Sequence, residues 1–82
     1  MTENRVATLS IIIENRNESP SVNAILSQFG DYIVGRMGIP HREKGVFVIC
    51  VVLDAPVEIL NTISGKIGML KGVSAKLLTA KI

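Results

Sequence analysis

Residues 45–54, GVFVICVVLD, are a continuous apolar run rich in β-branched side chains, opened by Gly45 and closed by Asp54. At this length such a run predicts a central β-strand buried on both sides, because a half-solvated strand would alternate apolar with polar residues. The odd positions are Phe47, Ile49, Val51 and Leu53; the even positions are Val46, Val48, Cys50 and Val52. Successive side chains leave a strand on opposite faces, so only one set can meet a layer of helices. The other set lies on the open face of the sheet, and four contiguous apolar side chains there form a surface that monomers rarely leave uncovered. Burying each Val or Leu is favourable by roughly 1.5 kcal/mol or more, and a second copy of the chain is the simplest cover. The expectation is a homodimer or tetramer assembled through the open sheet face. Cys50 is expected in the core, since free cysteine is among the most buried residue types.

Upstream of this strand, residues 5–13 (RVATLSIII) place Ala7, Leu9, Ile11 and Ile13 on one face of a first strand. The polar stretch ENRNES ends it. Ser19 is the expected N-cap of a helix with Pro20 at its first position, where the missing N–H costs nothing. Val22, Ile25, Leu26 and Phe29 recur at helical spacing, and Gly30 is the expected C-cap. Residues 31–39 (DYIVGRMGI) follow as a second strand. Downstream, Asp54 is expected to cap a second helix with Pro56 in its first turn and Leu60, Ile63 and Ile67 on its buried face. Gly68 and Gly72 bracket a turn into a last strand, with Val73, Ala75 and Leu77 on one side, Lys76 on the other and Lys81 at its end.

The order is βαββαβ over residues 1–82, a length that makes one domain. Right-handed crossovers put both helices on one face of a four-stranded antiparallel sheet. This is an α+β, ferredoxin-like sandwich, with the first and third strands central and the second and fourth at the edges. Glycines, Arg36 and lysines fall on the predicted edges, where charge and broken pairing discourage unwanted association.

Composition narrows the function classes. The formal charge of +2 is spread without a run of one sign, which argues against a nucleic-acid tail or a membrane-binding patch. One Tyr, two Phe and no Trp leave few platforms for stacking bases. A single Cys excludes an internal disulfide or a CxxC site. The opening MTENRVATLS lacks the basic and apolar regions of a signal peptide, and no apolar run approaches the about 20 residues that span a bilayer. A cytoplasmic protein is expected. With one His and one Cys, no metal or other cofactor is expected either, because a metal needs several converging ligands. No Ser/His/Asp set is assembled, and Asp31, Glu43, Asp54 and Glu58 fall at element ends. Gly65-Lys66 is not a phosphate loop: Leu60 and Ile67 occupy the positions where the loop needs a Gly and a Ser or Thr.

One stretch resists a purely structural account. YIVGRMGIPHREKG (32–45) interrupts an apolar strand with two glycines, an arginine and a proline. Gly35, Gly38 and Pro40 suit an edge strand that bends and enters a turn, but Arg36 in mid-strand is left over. For a small anionic ligand, Arg36 and Arg42 are the candidates, with His41 beside them and Gly38 allowing close approach. The competing reading pairs Arg36 with a carboxylate across a subunit interface and leaves the hairpin merely solvated.

GDYIVGRMGIP (30–40), GVFVICVVLDAP (45–56) and SGKIGMLKGV (64–73) together resemble the small iron-only hydrogenase system regulators of anaerobic bacteria. The similarity spans nearly the whole chain, and Gly-Arg-Met-Gly-Ile-Pro is its most specific string. That family is similar in fold to ACT domains and to the ligand-sensing C-terminal domain of nickel-responsive repressors. The resemblance implies an ACT-like, sensor-like regulatory domain, not an enzyme, that binds a small ligand or a partner protein. Two departures stand out. ACT domains that bind amino acids generally have a glycine between first strand and first helix, and ENRNESPS has none. Nickel-responsive repressors use several histidines, a cysteine and a separate N-terminal DNA-binding module, so binding of nickel or nucleic acid by this chain alone is not expected. Two alternatives are a small acylphosphatase-like enzyme, for which that loop offers Arg16 but no glycine, and a nucleic-acid-binding transcription factor. The second has the basic pI of about 9.0 in its favour, but no basic groove-entering helix and few aromatics.

Overall fold

A computed structural model describes residues 3–80. Its elements are β1 (Asn4–Ile13), a 3₁₀ turn (Arg16–Glu18), α1 (Ser19–Gln28), a second 3₁₀ turn (Gly30–Tyr32), β2 (Ile33–His41), β3 (Val46–Pro56), α2 (Val57–Gly68) and β4 (Val73–Thr79). The four strands form one sheet in the order β2-β3-β1-β4. All three pairings are antiparallel. β1 and β3 are therefore central and β2 and β4 are edges, as the apolar pattern predicts. The chain has the ferredoxin-like, ACT-like architecture expected from its sequence.

The core lies between the sheet and the helices. Ala7, Leu9, Ile11 and Ile13 of β1 and Ile49, Val51, Leu53 and Ala55 of β3 are buried on one face, against Val22 and Leu26 of α1 and Leu60, Ile63 and Ile67 of α2. No polar side chain is buried among the described residues. The core thus rests on apolar burial and shape, with no internal charge or hydrogen bond needing a partner.

Several local expectations change. Cys50 is exposed: its even position puts it opposite Ser10 and Met37 on the open face. Val46, Val48 and Val52 share that face by parity, so β3, composed for burial on both sides, is covered on one side within a single chain. Ser19 is not the N-cap of α1 but its first residue; the cap position is Glu18, without a side-chain hydrogen bond. The helical path starts earlier because Asn15 Oδ1 accepts the amide of Asn17 at 3.1 Å, an Asx turn that nucleates the preceding 3₁₀ turn. Gly30 does not close α1: Phe29 is its C-cap, and Gly30 opens the next turn. Asp54 stays in β3 opposite Val6, and Pro56 occupies the N-cap of α2 in an extended conformation. Lys81 lies outside the described residues.

Gly72 is where the chain requires glycine. Its φ is +76°, and a Cβ there would stand 2.8 Å from Cβ of Asn15. Its carbonyl accepts the amide of Glu14 at 2.8 Å. The turn entering β4 is thereby tied to the end of β1. Among the described residues no helix is long and apolar enough to cross a membrane.

Candidate ligand-binding groove

The position of Arg36 follows from an irregularity in β2. Ile33 pairs with Leu53, but Gly35 already pairs with Val52, so Val34 is an extra residue in the strand. A one-residue insertion exchanges the faces of everything beyond it. Arg36, Gly38 and Pro40 consequently lie opposite Val51, Ile49 and Phe47, on the helix side of the sheet. Met37, Ile39 and His41 lie opposite Cys50, Val48 and Val46, on the open side. Without the bulge, Arg36 would share the open face with Cys50.

Turned to the helix side, Arg36 donates from Nη2 to Asn23 Oδ1 of α1 at 3.2 Å. A neutral amide holds the guanidinium in place without cancelling its charge, and most of its five N–H donors stay available. This geometry points Arg36 away from the open sheet face, where an interfacial carboxylate had been one expectation.

Two adjoining cavities lie along this side of β2. One, of about 420 Å³, is lined by Arg16, Ser19, Gly38, Pro40, Arg42 and Phe47, with Val46 at the hairpin end. The other, of about 220 Å³, is lined by Asn23, Arg36, Gly38, Phe47 and Ile49. Gly38 and Phe47 belong to both, and make a common floor. A Cβ on Gly38 would come within 3.0 Å of Cζ of Phe47, so the missing side chain leaves room above the ring where the two cavities adjoin. The larger one falls in the range of about 300–1,000 Å³ typical of small-molecule sites.

Among the described residues, three guanidiniums and no carboxylate line the groove. Glu18 stands at the N-cap of α1, outside both linings. The structure therefore brings together Arg36, Gly38 and Arg42 and leaves His41 on the other side of the strand. Among the described residues no cluster of His, Cys, Asp or Glu could hold a metal. Arg16 is the residue that sequence reasoning did not connect with this site. Its signal was tertiary: the 3₁₀ turn after β1 carries it to the β2–β3 hairpin, far away in sequence. Gly65 and Lys66, the rejected phosphate loop, occupy the last turn of α2, with Nζ of Lys66 5.6 Å from the ring centroid of Phe29.

Solved structures share this architecture. A solved structure of an uncharacterized protein, TM1266 from Thermotoga maritima, matches with a TM-score of 0.92 and 31% identity over 96% of this chain and 100% of its own. A formyltetrahydrofolate deformylase from Pseudomonas putida KT2440 matches with a TM-score of 0.65 and 17% identity, over 93% of this chain but 29% of its own. That likeness concerns the fold alone. No curated protein matches. The family model described as "Iron-only hydrogenase system regulator, putative" matches residues 5–77, which include the bulged strand, all three groove arginines and Gly72. The chain belongs to this TM1266-like family.

Proposed function

We propose that this chain is a homo-oligomeric, non-enzymatic regulatory domain that senses a small anionic ligand in the groove between α1 and β2. The observation carrying this reading is the set of Arg16, Arg36 and Arg42 around a groove with no lining carboxylate. Arginine stays protonated and presents a planar fork of donors suited to carboxylate or phosphate. Ser19 supplies the only hydroxyl in the lining and no general base accompanies it, which favours binding over turnover. The family description supports an output on a hydrogenase system; cytoplasmic control of transcription, directly or through a protein partner, is the reading extended from it.

The same domain self-associates through its open sheet face. Ile12, Met37, Ile39, Val52 and Leu78 are exposed, and the centre of that face, around Thr8, Ser10, Val48 and Cys50, carries no charge. A second copy presents the same uncharged centre, with Lys76, opposite Ser10, and Asp54, opposite Val6, standing on that face around it. β3 sends Phe47 and Ile49 into the groove and Val48 and Cys50 to the assembly face, so one strand can couple occupancy to assembly.

Sedimentation at micromolar concentration is expected to give a dimer or tetramer, and Val48→Glu to give a folded monomer. Isothermal titration against organic acids, nucleotides, amino acids and metals is expected to return binding for anions. A wild-type monomer would remove the assembly half of the proposal, and silence from every anion the sensing half. Arg16 in the groove also favours an acylphosphatase-like reading over what the loop sequence alone suggests. Acyl phosphate hydrolysis lost in Arg16→Ala would replace the sensor with that enzyme.

A further inference from the structure

We infer that the groove takes a linear dianion: a molecule with two carboxylate- or phosphate-type ends separated by an uncharged segment lying over Gly38 and Phe47. This rests on the anion-sensing reading above and specifies its ligand. The positive charge is divided into two poles. Arg36, held by Asn23, lines only the smaller cavity, whereas Arg16 and Arg42 line only the larger. Arg36 lies five positions before His41, the last residue of β2, roughly 16 Å along the strand at about 3.3 Å per residue, and Arg42 follows it in the turn. A single carboxylate or phosphate at one pole leaves the other unanswered.

Between the poles the groove is uncharged. Its floor is the Phe47 ring and the bare backbone of Gly38, flanked by Pro40 on one side and Ile49 on the other. Charged ends and an apolar middle match that sequence of surfaces, and the two ends differ in room. The smaller cavity suits one anionic group beside Arg36; the larger holds the second group and part of the chain. Gly38 is the gate, since any side chain there enters the passage above Phe47.

The test is calorimetric titration of the full chain with dicarboxylates from succinate to sebacate, the monocarboxylates of matched length, matched alkane bisphosphonates and a short oligothymidylate. At an optimum length the dianion is expected to bind roughly 10- to 100-fold more tightly than its monoanion, the contribution of one further charged hydrogen-bonding group. Whether carboxylates or phosphonates bind better identifies the end group. Asn23→Asp sets a carboxylate beside Arg36 and is expected to erase the dianion's advantage; an Arg16→Ala, Arg42→Ala double variant erases it from the other end. Gly38→Val weakens dianions most. Melting temperatures close to wild type certify each variant as folded. Equal affinity for dianion and monoanion at every length, in folded protein, overturns the two-pole inference but leaves anion sensing standing. Oligothymidylate binding tighter than every dianion overturns it in favour of a polynucleotide track. Silence from all probes overturns both readings.

Discussion

The two edge strands of this sheet were composed for different tasks. β4 enters through the constrained Gly72 turn, buries Val73 and packs Ala75 and Leu77 against the core. β2 has only Ile33 packed against the core; from Val34 to His41 every residue is exposed. β4 closes the fold, while β2 lends its backbone to β3 and leaves its side chains for other contacts. The contrast explains why glycine has opposite meanings on the two edges. At Gly72 it admits a backbone shape and a close approach that the fold requires; at Gly38 it leaves open a space that the core does not use.

Stability experiments break this comparison most strongly at β4. Gly72→Ala combines a left-handed φ with a Cβ 2.8 Å from Asn15. It is expected to cost about 2 kcal/mol or more, read as a lower midpoint in urea, with no selective effect on anion affinity beyond that of unfolding. A loss under about 0.5 kcal/mol would mean that the turn relaxes and that β4 is no better anchored than β2.

Next in size is deletion of Val34, which removes the bulge and returns Arg36 to the open face. Anion affinity is expected to fall at least about tenfold, one charged hydrogen-bonding group's contribution, while far-ultraviolet circular dichroism stays native. Retained affinity in a folded deletion variant would show that Arg36 does not need the bulge to reach the ligand.

This bulge also marks where the sequence stopped being legible. Strand order, both helices and the buried faces of β1 and α2 follow from apolar periodicity, because each is decided by which side chains leave water. The divided character of β3 was visible as two apolar sets, but parity alone could not say which set met the helices, so Cys50 was expected inside and lies outside. In β2 nothing inside water-excluding packing enforces a register, and Val34 looks like any strand residue; Gly35 beside it and Gly38 further on hinted at irregularity without locating it. His41 and Arg42 adjoin in sequence yet part in space, since His41 ends β2 on its open face and Arg42 begins the turn that carries it to the groove. Arg16 enters through a contact distant in sequence, which no local pattern encodes.

Smaller still is the stability effect of Gly38→Ala. Its Cβ would meet the far end of the Phe47 ring at 3.0 Å, and a half-buried ring at the sheet edge can give way, so the cost is expected below about 1 kcal/mol. Ligand affinity should fall by more than that shift, because the displaced ring narrows the passage it floors. Equal changes in both quantities would make Gly38 a packing position like any other.

The smallest stability effect belongs to Asn23→Ala. The residue makes an exposed hydrogen bond to Arg36 at 3.2 Å, and its loss should move the unfolding free energy by less than about 0.5 kcal/mol. The groove keeps all three positive charges, so the attraction for anions persists at low salt. What changes is the order of one guanidinium: freed from Asn23, Arg36 samples more rotamers and must be fixed on binding, which costs about 0.5–1.5 kcal/mol. Affinity should therefore fall several-fold with an unfavourable change in entropy, a signature distinct from the charge neutralisation of Asn23→Asp. If Ala binds anions as tightly as Asn at that position, the contact is incidental, and β2 holds its arginine for the ligand without help from α1.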